Sequence, residues 1–388
     1  MRYFFQSGIF IDLSQAELIS VFQSFGISRD SIKSVGDGIF LVESNSLKED
    51  VLSKIFPRLG GFIRYGQVID DLDSFLPLYS EAKKVTFAVS YLNSKDIDIK
   101  SIQKLSNEIK RYFKDLNIHS RFVIPKKAEL NEAQIRNNKI LEDGFEFCIF
   151  NSSSGLMYGK TLAIQDVEGF VKRDLEKPFS NYDMGVLPQK LARIMCNLTG
   201  LQDGILWDPF CGSGTVLMEA AMLGFDILGT DIDHKAISDT NENIQWLRDE
   251  GMISHIRYNL FPMDIKNVEK KIVKDIKRTG INVVVCEPFM GPPQRKLLTV
   301  HKAELLLEDI RKLYNSLFTV LNDISKSGFK AVLILPSYKT LKGTRTLNIS
   351  EFTGKRWEVL NKKYAKGDLK WERNNSIITR NILILSKR

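Results

Sequence analysis

Apolar residues alternate along residues 3–11 (YFFQSGIFI), and that period of two predicts a first β-strand. Over 13–25 they recur at helical spacing, with Ser14 placed to cap the helix start. Gly36, Asp37 and Gly38 separate the short apolar runs 32–35 and 39–42, which predicts a tight hairpin. A helix over 47–56 and a strand over 61–68 complete the order βαββαβ, that of a ferredoxin-like domain over residues 1–75. The pattern restarts over 83–172. A strand at 85–90 precedes a helix with Ile102, Leu105, Ile109, Tyr112, Phe113 and Leu116 on one face. A strand at 121–124, a polar helix over 132–143 and strands at 145–150 and 159–165 follow, making a second small α/β domain. After a linker at 173–187, residues 188–388 alternate helix and strand. Helix 188–198 leads into strands at 204–207, 226–230, 283–286 and 331–335, and 377–379 with 382–385 form a terminal hairpin or bent strand. Such alternation predicts a doubly wound, mostly parallel sheet, so the fold class is α/β.

The 388 residues suffice for two or three domains. No apolar run approaches the roughly 20 residues of a membrane span, and the N-terminal stretch lacks a small-residue cleavage site, so no membrane is expected. Cys148, Cys196, Cys211 and Cys286 lie far apart without a CxxC pair, and the four histidines show no ligand spacing. No metal is implied, and free thiols suit a reducing, cytoplasmic setting. Charge is uneven: residues 339–388 carry +9 against +8 for the whole chain. Phosphate is the natural partner of such a surface. There Lys339, Lys342, Arg345, Lys355, Arg356, Lys362, Lys363 and Lys366 interleave with Tyr338, Phe352, Trp357 and Tyr364, a mixture suited to a nucleic-acid backbone and a splayed-out base. Pro336 is expected to end the preceding strand and a mobile loop to follow it. A second basic group comprises Arg121, Lys126, Lys127, Arg136 and Lys139.

The run DPFCGSG, from Asp208 to Gly214, carries the most chemistry. A strand ends at Asp208, a tight turn follows, and a helix begins at Thr215. Gly212 and Gly214 let backbone approach a ligand, and the helix N-terminus faces its anionic group. A nicotinamide dinucleotide is the alternative occupant, but Leu217 stands where the GxGxxG fingerprint has its third glycine. Asp208 is placed to accept from an amino group. Asp231 ends the next strand, placed for ribose hydroxyls, with Asp233 beside it as a helix cap. Asp264 follows Asn259-Leu260-Phe261, where an adenine amino group could be read. Pro209, Cys211, Thr215 and Ile232 flank these positions and complete the cofactor-facing set. The strand 281–286 ends in Glu287-Pro288-Phe289-Met290, where a carboxylate and the Pro288 carbonyl can both accept from an exocyclic base amine.

DPFCGSG, then GTDID, then this tetrad resemble amino-methyltransferases that act on base nitrogens. The best match is the family of THUMP-domain tRNA guanosine-N2 methyltransferases acting at tRNA position 10. The resemblance covers most of residues 83–388, including KPFSNYDMGVLPQKLARIMCNL, LNEAQIRNNKI and GKTLAIQDVEGFVKRD. It implies a ferredoxin-like domain, a THUMP RNA-binding domain over 83–172 and a Rossmann-like methyltransferase domain over 188–388. It further implies S-adenosyl-L-methionine as cofactor and tRNA as partner. Glu287, Pro288, Phe289 and Met290 would form the catalytic motif, Arg121, Lys126, Lys127, Arg136 and Lys139 would meet the tRNA 3′ end, and Lys342 and Arg345 would grip RNA beside the target. The tetrad departs from the family's usual Asp/Asn-Pro-Pro-aromatic at Glu287, Phe289 and Met290. Two alternatives stay open: the same chemistry on another tRNA position, ribosomal RNA or a DNA base amine, and an RNA-binding homologue without turnover.

Overall fold

The structure is a computed structural model that describes residues 2–44, 47–94, 97–153, 155–180, 187–294 and 296–388. The segment 181–186, read above as part of the linker and of the KPFSNYDMGV run, lies outside the described residues. The chain divides into two units, one of Met1–Ile11, Gly26–Pro57 and Phe62–Val167, the other of Asp12–Phe25, Arg58–Gly61 and Glu168–Arg388.

The first unit holds strands β1 (Arg2–Ser7), β2 (Ile32–Gly36), β3 (Ile39–Glu43), β4 (Phe62–Ile69), β5 (Lys84–Tyr91), β6 (His119–Val123), β7 (Gly144–Ser152) and β8 (Gly155–Ile164). Along the chain, helices α1 (Ile11–Ser24), α2 (Glu49–Ile55), α3 (Leu72–Phe75), α4 (Ile99–Asp115) and α5 (Glu132–Asn137) fall between them. Residues 12–24 of α1 cluster with the second unit. The strands form one sheet in the order β2-β3-β1-β4-β8-β7-β5-β6. The first four pair antiparallel, and β4 then pairs antiparallel with β8, so the sheet continues unbroken into the next four strands. That pairing satisfies the backbone groups β4 would otherwise leave open at an edge.

Asp37 and Gly38, both at positive φ (48° and 75°), make the two-residue turn between β2 and β3. A turn with both central residues left-handed matches the twist of the paired strands. The helix predicted over 132–143 is shorter. Asn138 Nδ2 donates to the Gln134 carbonyl, Lys139 takes φ 52°, and Ile140 N–H returns to the Ile135 carbonyl, so the helix closes after Asn137. Inside the sheet, Glu146 of β7 is fully buried. It accepts from Arg64 of β4, Ser90 Oγ of β5 (2.6 Å) and Thr161 Oγ1 of β8 (2.5 Å), while Arg64 Nη2 donates to the Leu130 carbonyl (2.7 Å). A buried charge without such partners would cost several kcal/mol, so the four strands are held in a single register.

The second unit contains helices α6 (Val167–Leu175), α7 (Gln189–Asn197), α8 (Thr215–Met222), α9 (His234–Asp249), α10 (Lys270–Arg278) and α11 (Val300–Ile324). Its strands are β9 (Ile205–Asp208), β10 (Asp226–Asp231), β11 (Tyr258–Pro262), β12 (Val283–Cys286), β13 (Lys330–Thr340), β14 (Gly343–Thr346), β15 (Trp357–Val359), β16 (Lys370–Trp371) and β17 (Ile378–Lys387). The sheet order is β11-β10-β9-β12-β13-β17-β15, with β14 on β13 and β16 on β17. The five strands from β11 to β13 run parallel, and β17 enters antiparallel between β13 and β15. This is the predicted doubly wound α/β sheet, with an antiparallel extension. The order reverses between β9 and β12, the switch point at which such sheets bind ligands.

Pro336 does not end its strand. It lies where β13 exchanges its partner β12, whose pairing stops at Leu333, for β14, whose pairing starts at Ser337, so no ladder bond is lost on that side. The predicted mobile loop is instead a β13–β14 hairpin. Ser14 is not a helix cap either: α1 begins at Ile11, and the Ser14 hydroxyl donates to the Gly61 carbonyl (2.9 Å).

Two buried glutamates hold helices of the second unit. Glu219 of α8 accepts from Arg173 Nε of α6 and Arg193 Nε of α7, each at 2.6 Å, and both guanidiniums lie over the Phe170 ring. Glu17 of α1 accepts from Gly60 N–H (2.7 Å), Gly61 N–H (2.8 Å) and Asn197 Nδ2 (2.7 Å). Complete burial outweighs these three donors and pushes the Glu17 carboxyl up to about 7. A raised acid favours the folded state only while protonated, so this contribution is whole below about pH 4.5 and is lost as pH rises through about 7. Chemical denaturation of Glu17→Gln at a series of pH values should show a flatter decline of stability between those limits than wild type, by about 3 kcal/mol across the window. An identical slope in the two proteins would contradict this.

Candidate active site

The cleft is built from the strand ends. Parallel β9, β10, β11 and β12 all finish on one edge, which brings Asp208, Asp231, Asp264 and Glu287 to the lining of a single cleft of about 1480 Å³. That volume exceeds the roughly 300–1,000 Å³ of a drug-sized ligand site and leaves room for two reactants.

Asp208 ends β9, is almost completely buried, and accepts from Phe210 N–H (3.0 Å). The chain then turns through Cys211, whose N–H reaches the Thr230 carbonyl (3.0 Å), to Gly212 at φ 52° and Gly214 at φ 84°. Gly214 is the N-cap of α8, and Thr215 opens the helix with its hydroxyl 3.3 Å from Lys177 Nζ. Helix α9 holds the loop from behind. Thr240 Oγ1 donates to the Gly212 carbonyl (2.7 Å), and Asn243 Nδ2 donates to the carbonyls of Ser213 (2.8 Å) and Phe179 (2.9 Å). The two glycines serve different needs. A Cβ at Gly214 would lie 2.8 Å from Thr240 Cγ2, whereas one at Gly212 would meet open space.

Asp231 ends β10 with both oxygens engaged, Oδ2 accepting from Gly212 N–H (2.9 Å) and Oδ1 from Asp233 N–H (3.0 Å). Each oxygen keeps a second lone pair for a ligand hydroxyl. Asp233 caps α9 by accepting from Lys235 N–H (2.8 Å). Asp264 closes a turn of its own, accepting from Lys266 N–H (2.9 Å) and Asn267 Nδ2 (2.6 Å). Pro209 lies in the turn beside Asp208, and Ile232 is an exposed apolar rim residue.

Glu287, Pro288, Phe289 and Met290 line the same cleft. Phe289 is half exposed, and the Met290 carbonyl accepts from the buried Tyr338 hydroxyl. Glu287 forms an ion pair with Arg380 of β17, Nε to Oε1 at 2.5 Å and Nη2 to Oε2 at 3.4 Å. Burial raises the carboxyl groups of Asp208, Asp231 and Glu287. Asp208 is raised further by its charged neighbours Asp231 and Glu287, while Arg380 pulls Glu287 back. No sequence signal marks Arg380: it is one charge in an alternating strand, 93 residues from its partner. Lys177, Thr240 and Asn243 were also missed. Only the i, i+3 spacing of the last two on α9 could have marked a common inward face.

The basic surfaces change more. Tyr338, Phe352, Trp357 and Tyr364 are buried and offer no platform for a base. In a small domain, large aromatics near the chain's final strands are first claimed by the core. Lys339 pairs with Glu372 (3.0 Å) and Lys363 with Glu358 (2.9 Å). Lys342 stands exposed on the β13–β14 turn, and Arg345 folds back, donating to the Thr344 carbonyl (3.2 Å). The hairpin is tied to the chain beyond the tetrad by Leu341 N–H to the Leu298 carbonyl (3.2 Å). In the first unit, Arg121 Nη2 reaches the Asn138 carbonyl (3.1 Å), next to Lys139, and Lys126 and Lys127 are exposed. Arg136 is held by Glu132 (2.7 Å) and Asp166 (3.5 Å). Among the described residues, no His, Cys, Asp and Glu cluster is arranged to hold a metal, and no helix is long and apolar enough to cross a membrane.

Residues 181–288 match the model of the UPF0020 family, described as RMKL-like, methyltransferase domain. The chain is similar to the tRNA (guanine(10)-N2)-dimethyltransferase of Methanothermobacter thermautotrophicus, 29% identical over 244 residues that cover 60% of this chain and 65% of that protein. It is 31% identical over 142 residues to the enzyme of the same name from Methanocaldococcus jannaschii, 36% of either chain. These matches span less than two thirds of each relative. The crystal structure of TrmN from Thermus thermophilus aligns over the full length of both chains with a TM-score of 0.50 at 13% identity, a likeness of fold. The fold is α/β, and its second unit has the Rossmann-like architecture of methyltransferases.

Gly214→Ala places a methyl group against Thr240 at a left-handed φ, a combination of strain and clash. Thermal denaturation should show it destabilised by about 2–3 kcal/mol, against about 1 kcal/mol for Gly212→Ala, where only the backbone is strained. Equal losses in the two variants would refute the distinction.

Proposed function

We propose that the chain is an S-adenosylmethionine-dependent methyltransferase that modifies the exocyclic N2 of a guanosine in tRNA, at position 10, in the cytoplasm. The observation that carries this reading is the gathering of Asp208, Asp231 and Asp264 around a glycine turn, with Glu287 lining the same cleft. The donor set suits this cofactor. Buried carboxylates that repel one another are relieved by a ligand bearing cationic groups, and S-adenosylmethionine carries a sulfonium and an ammonium. Gly212 leaves room for close approach, and the free lone pairs of Asp231 suit ribose hydroxyls. Pro209, Cys211, Thr215 and Ile232 would line the cofactor, and Asp264 would accept from the adenine amine.

When bound, the cofactor supplies an electrophilic methyl group. The chain's own task is to orient the acceptor. Glu287 and the Pro288 carbonyl accept from the N2 amine and aim its lone pair, and Glu287 offsets the positive charge that develops on that nitrogen. Phe289 and Met290 supply apolar surface against a flipped base. The similarity to dimethyltransferases named for guanine 10 supports this acceptor over the same chemistry on another tRNA position, ribosomal RNA or a DNA base. The strand order β2-β3-β1-β4 supports a ferredoxin-like segment over 1–75, and the 83–172 segment fits a THUMP module that presents Arg121, Lys126, Lys127, Arg136 and Lys139 to the tRNA 3′ end.

Calorimetry should show S-adenosylmethionine binding that Asp231→Ala weakens by about 5- to 150-fold, the effect of losing a bidentate polar contact worth about 1–3 kcal/mol. Unmodified tRNA and radiolabelled donor should yield labelled N2-methylguanosine. Binding of both without transfer would favour a homologue that has lost turnover. A second measurement concerns the hairpin. Reversing Lys342 and Arg345 to Glu should weaken tRNA binding and flatten its dependence on salt. Unchanged binding would remove these residues from the interface.

A further inference from the structure

The acceptor side of the cleft contains a matched acceptor and donor. Glu287 and Arg380 both line it, and they are paired through Nε and Nη2 of the guanidinium. The Arg380 ring-like plane also lies over the Trp371 indole, 5.2 Å from its centroid. Its position is fixed at the backbone too: Arg380 pairs with Pro336 in the β13–β17 ladder and with Trp371 in the β16–β17 ladder. A guanidinium held on three sides is a rigid fork rather than a mobile charge. Its Nη1 makes no hydrogen bond among the described residues.

We propose that Arg380 is a positioning and base-selecting residue: it holds Glu287 in place and presents Nη1 to O6 of the guanine whose N1–H and N2–H groups Glu287 accepts. This inference rests on the acceptor assigned above. The chemistry is specific to one base edge. Guanine presents donor, donor, acceptor in the order N2–H, N1–H, O6. Adenine offers one donor, its 6-amino group, beside the acceptor N1, and cytosine one donor, its 4-amino group, beside the acceptor N3. Guanine alone offers two adjacent donors, one for each carboxylate oxygen, followed by an acceptor for the guanidinium. The arrangement also accounts for a glutamate at this position. Its longer side chain is drawn to a fixed partner, so the extra rotatable bond does not loosen the carboxylate. An ionised Glu287 is the form that accepts from the base, and Arg380 is the only cation hydrogen-bonded to it among the described residues.

The test uses the full chain with its cofactor and two tRNAs, one carrying guanosine at the methylated position and one carrying 2,6-diaminopurine riboside there. The analogue keeps the 2-amino acceptor but replaces O6 with a donor and lacks N1–H. Wild type should prefer guanosine in kcat/KM by about 100-fold, the upper range for one bidentate base contact. Arg380→Met should stay folded, at a lower melting temperature because Glu287 loses its buried partner, keep its cofactor affinity, lose most of its rate on guanosine, and let the preference fall below about tenfold. Arg380→Lys, which retains charge and stem but not the fork, should lose the preference as well, and it serves if the Met variant does not fold. The acid limb of the kcat/KM profile should move to higher pH in Arg380→Met, where Glu287 loses the cation that favours its ionised form, and less in Arg380→Lys, which keeps one. A preference unchanged in a folded variant, or a wild type that discriminates less than about threefold, overturns the base-selecting role. Cofactor binding by wild type without transfer to any guanosine-bearing tRNA overturns the acceptor assignment itself, a separate result that takes this inference with it.

Discussion

Parallel pairing is the constraint on which the rest of the second unit depends. Because β9, β10, β11 and β12 run the same way, each delivers its last residue to one edge, and a carboxylate stands at or just beyond the end of each strand. This parallel order gathers Asp208, Asp231, Asp264 and Glu287, which are distant in sequence, around one cleft. The glycine turn, the cap of α8 and the clamp from Thr240 and Asn243 shape that edge without creating it. The electrostatic consequence follows directly. Burial at this edge raises the affinity of Asp208, Asp231 and Glu287 for protons, Asp208 being raised further by its neighbours Asp231 and Glu287, and creates a standing demand for positive charge. Arg380 answers it at Glu287, and a cationic ligand would answer it at Asp208 and Asp231.

Much of this was legible in the sequence because it is local. The strand–turn–helix around Asp208 to Thr215 spans few residues, and its glycines and acids carry their meaning in their order. The Asp37-Gly38 turn and the βαββαβ succession are of the same kind. What escaped is non-local or depends on competition for burial. Arg380 became visible only when β17 was threaded beside β13. The aromatics among the C-terminal lysines read as a base-stacking surface, but the core took them, since periodicity alone does not distinguish an aromatic that faces a base from one that faces α11. Pro336 was read as a strand end because its missing N–H usually is one, and the exchange of β12 for β14 removed that cost.

Both units carry fully buried glutamates: Glu146 within the first sheet, Glu17 and Glu219 among the helices of the second. Such groups cost desolvation that an apolar packing of the same volume would avoid, and each is satisfied by donors from two or three separate elements. Their effect is on uniqueness of arrangement. An α7 slipped by one turn would still bury leucines, but it would strand Glu219. Since α8 begins at the glycine turn, fixing its far end fixes the turn.

The two sides of the cleft also differ in how far the chain must travel to close them. Asp231 returns to Gly212 across 19 residues, through one helix and one strand. Arg380 returns to Glu287 across 93, and only after β17 has inserted between β13 and β15. Loop-closure entropy and contact order favour the nearer encounter. Contact order therefore predicts that the Asp231–Gly212 side of the cleft assembles before the Glu287–Arg380 side, which waits for β17. A nascent or partly folded chain would then hold the glycine turn in place while Glu287 still lacks its cation.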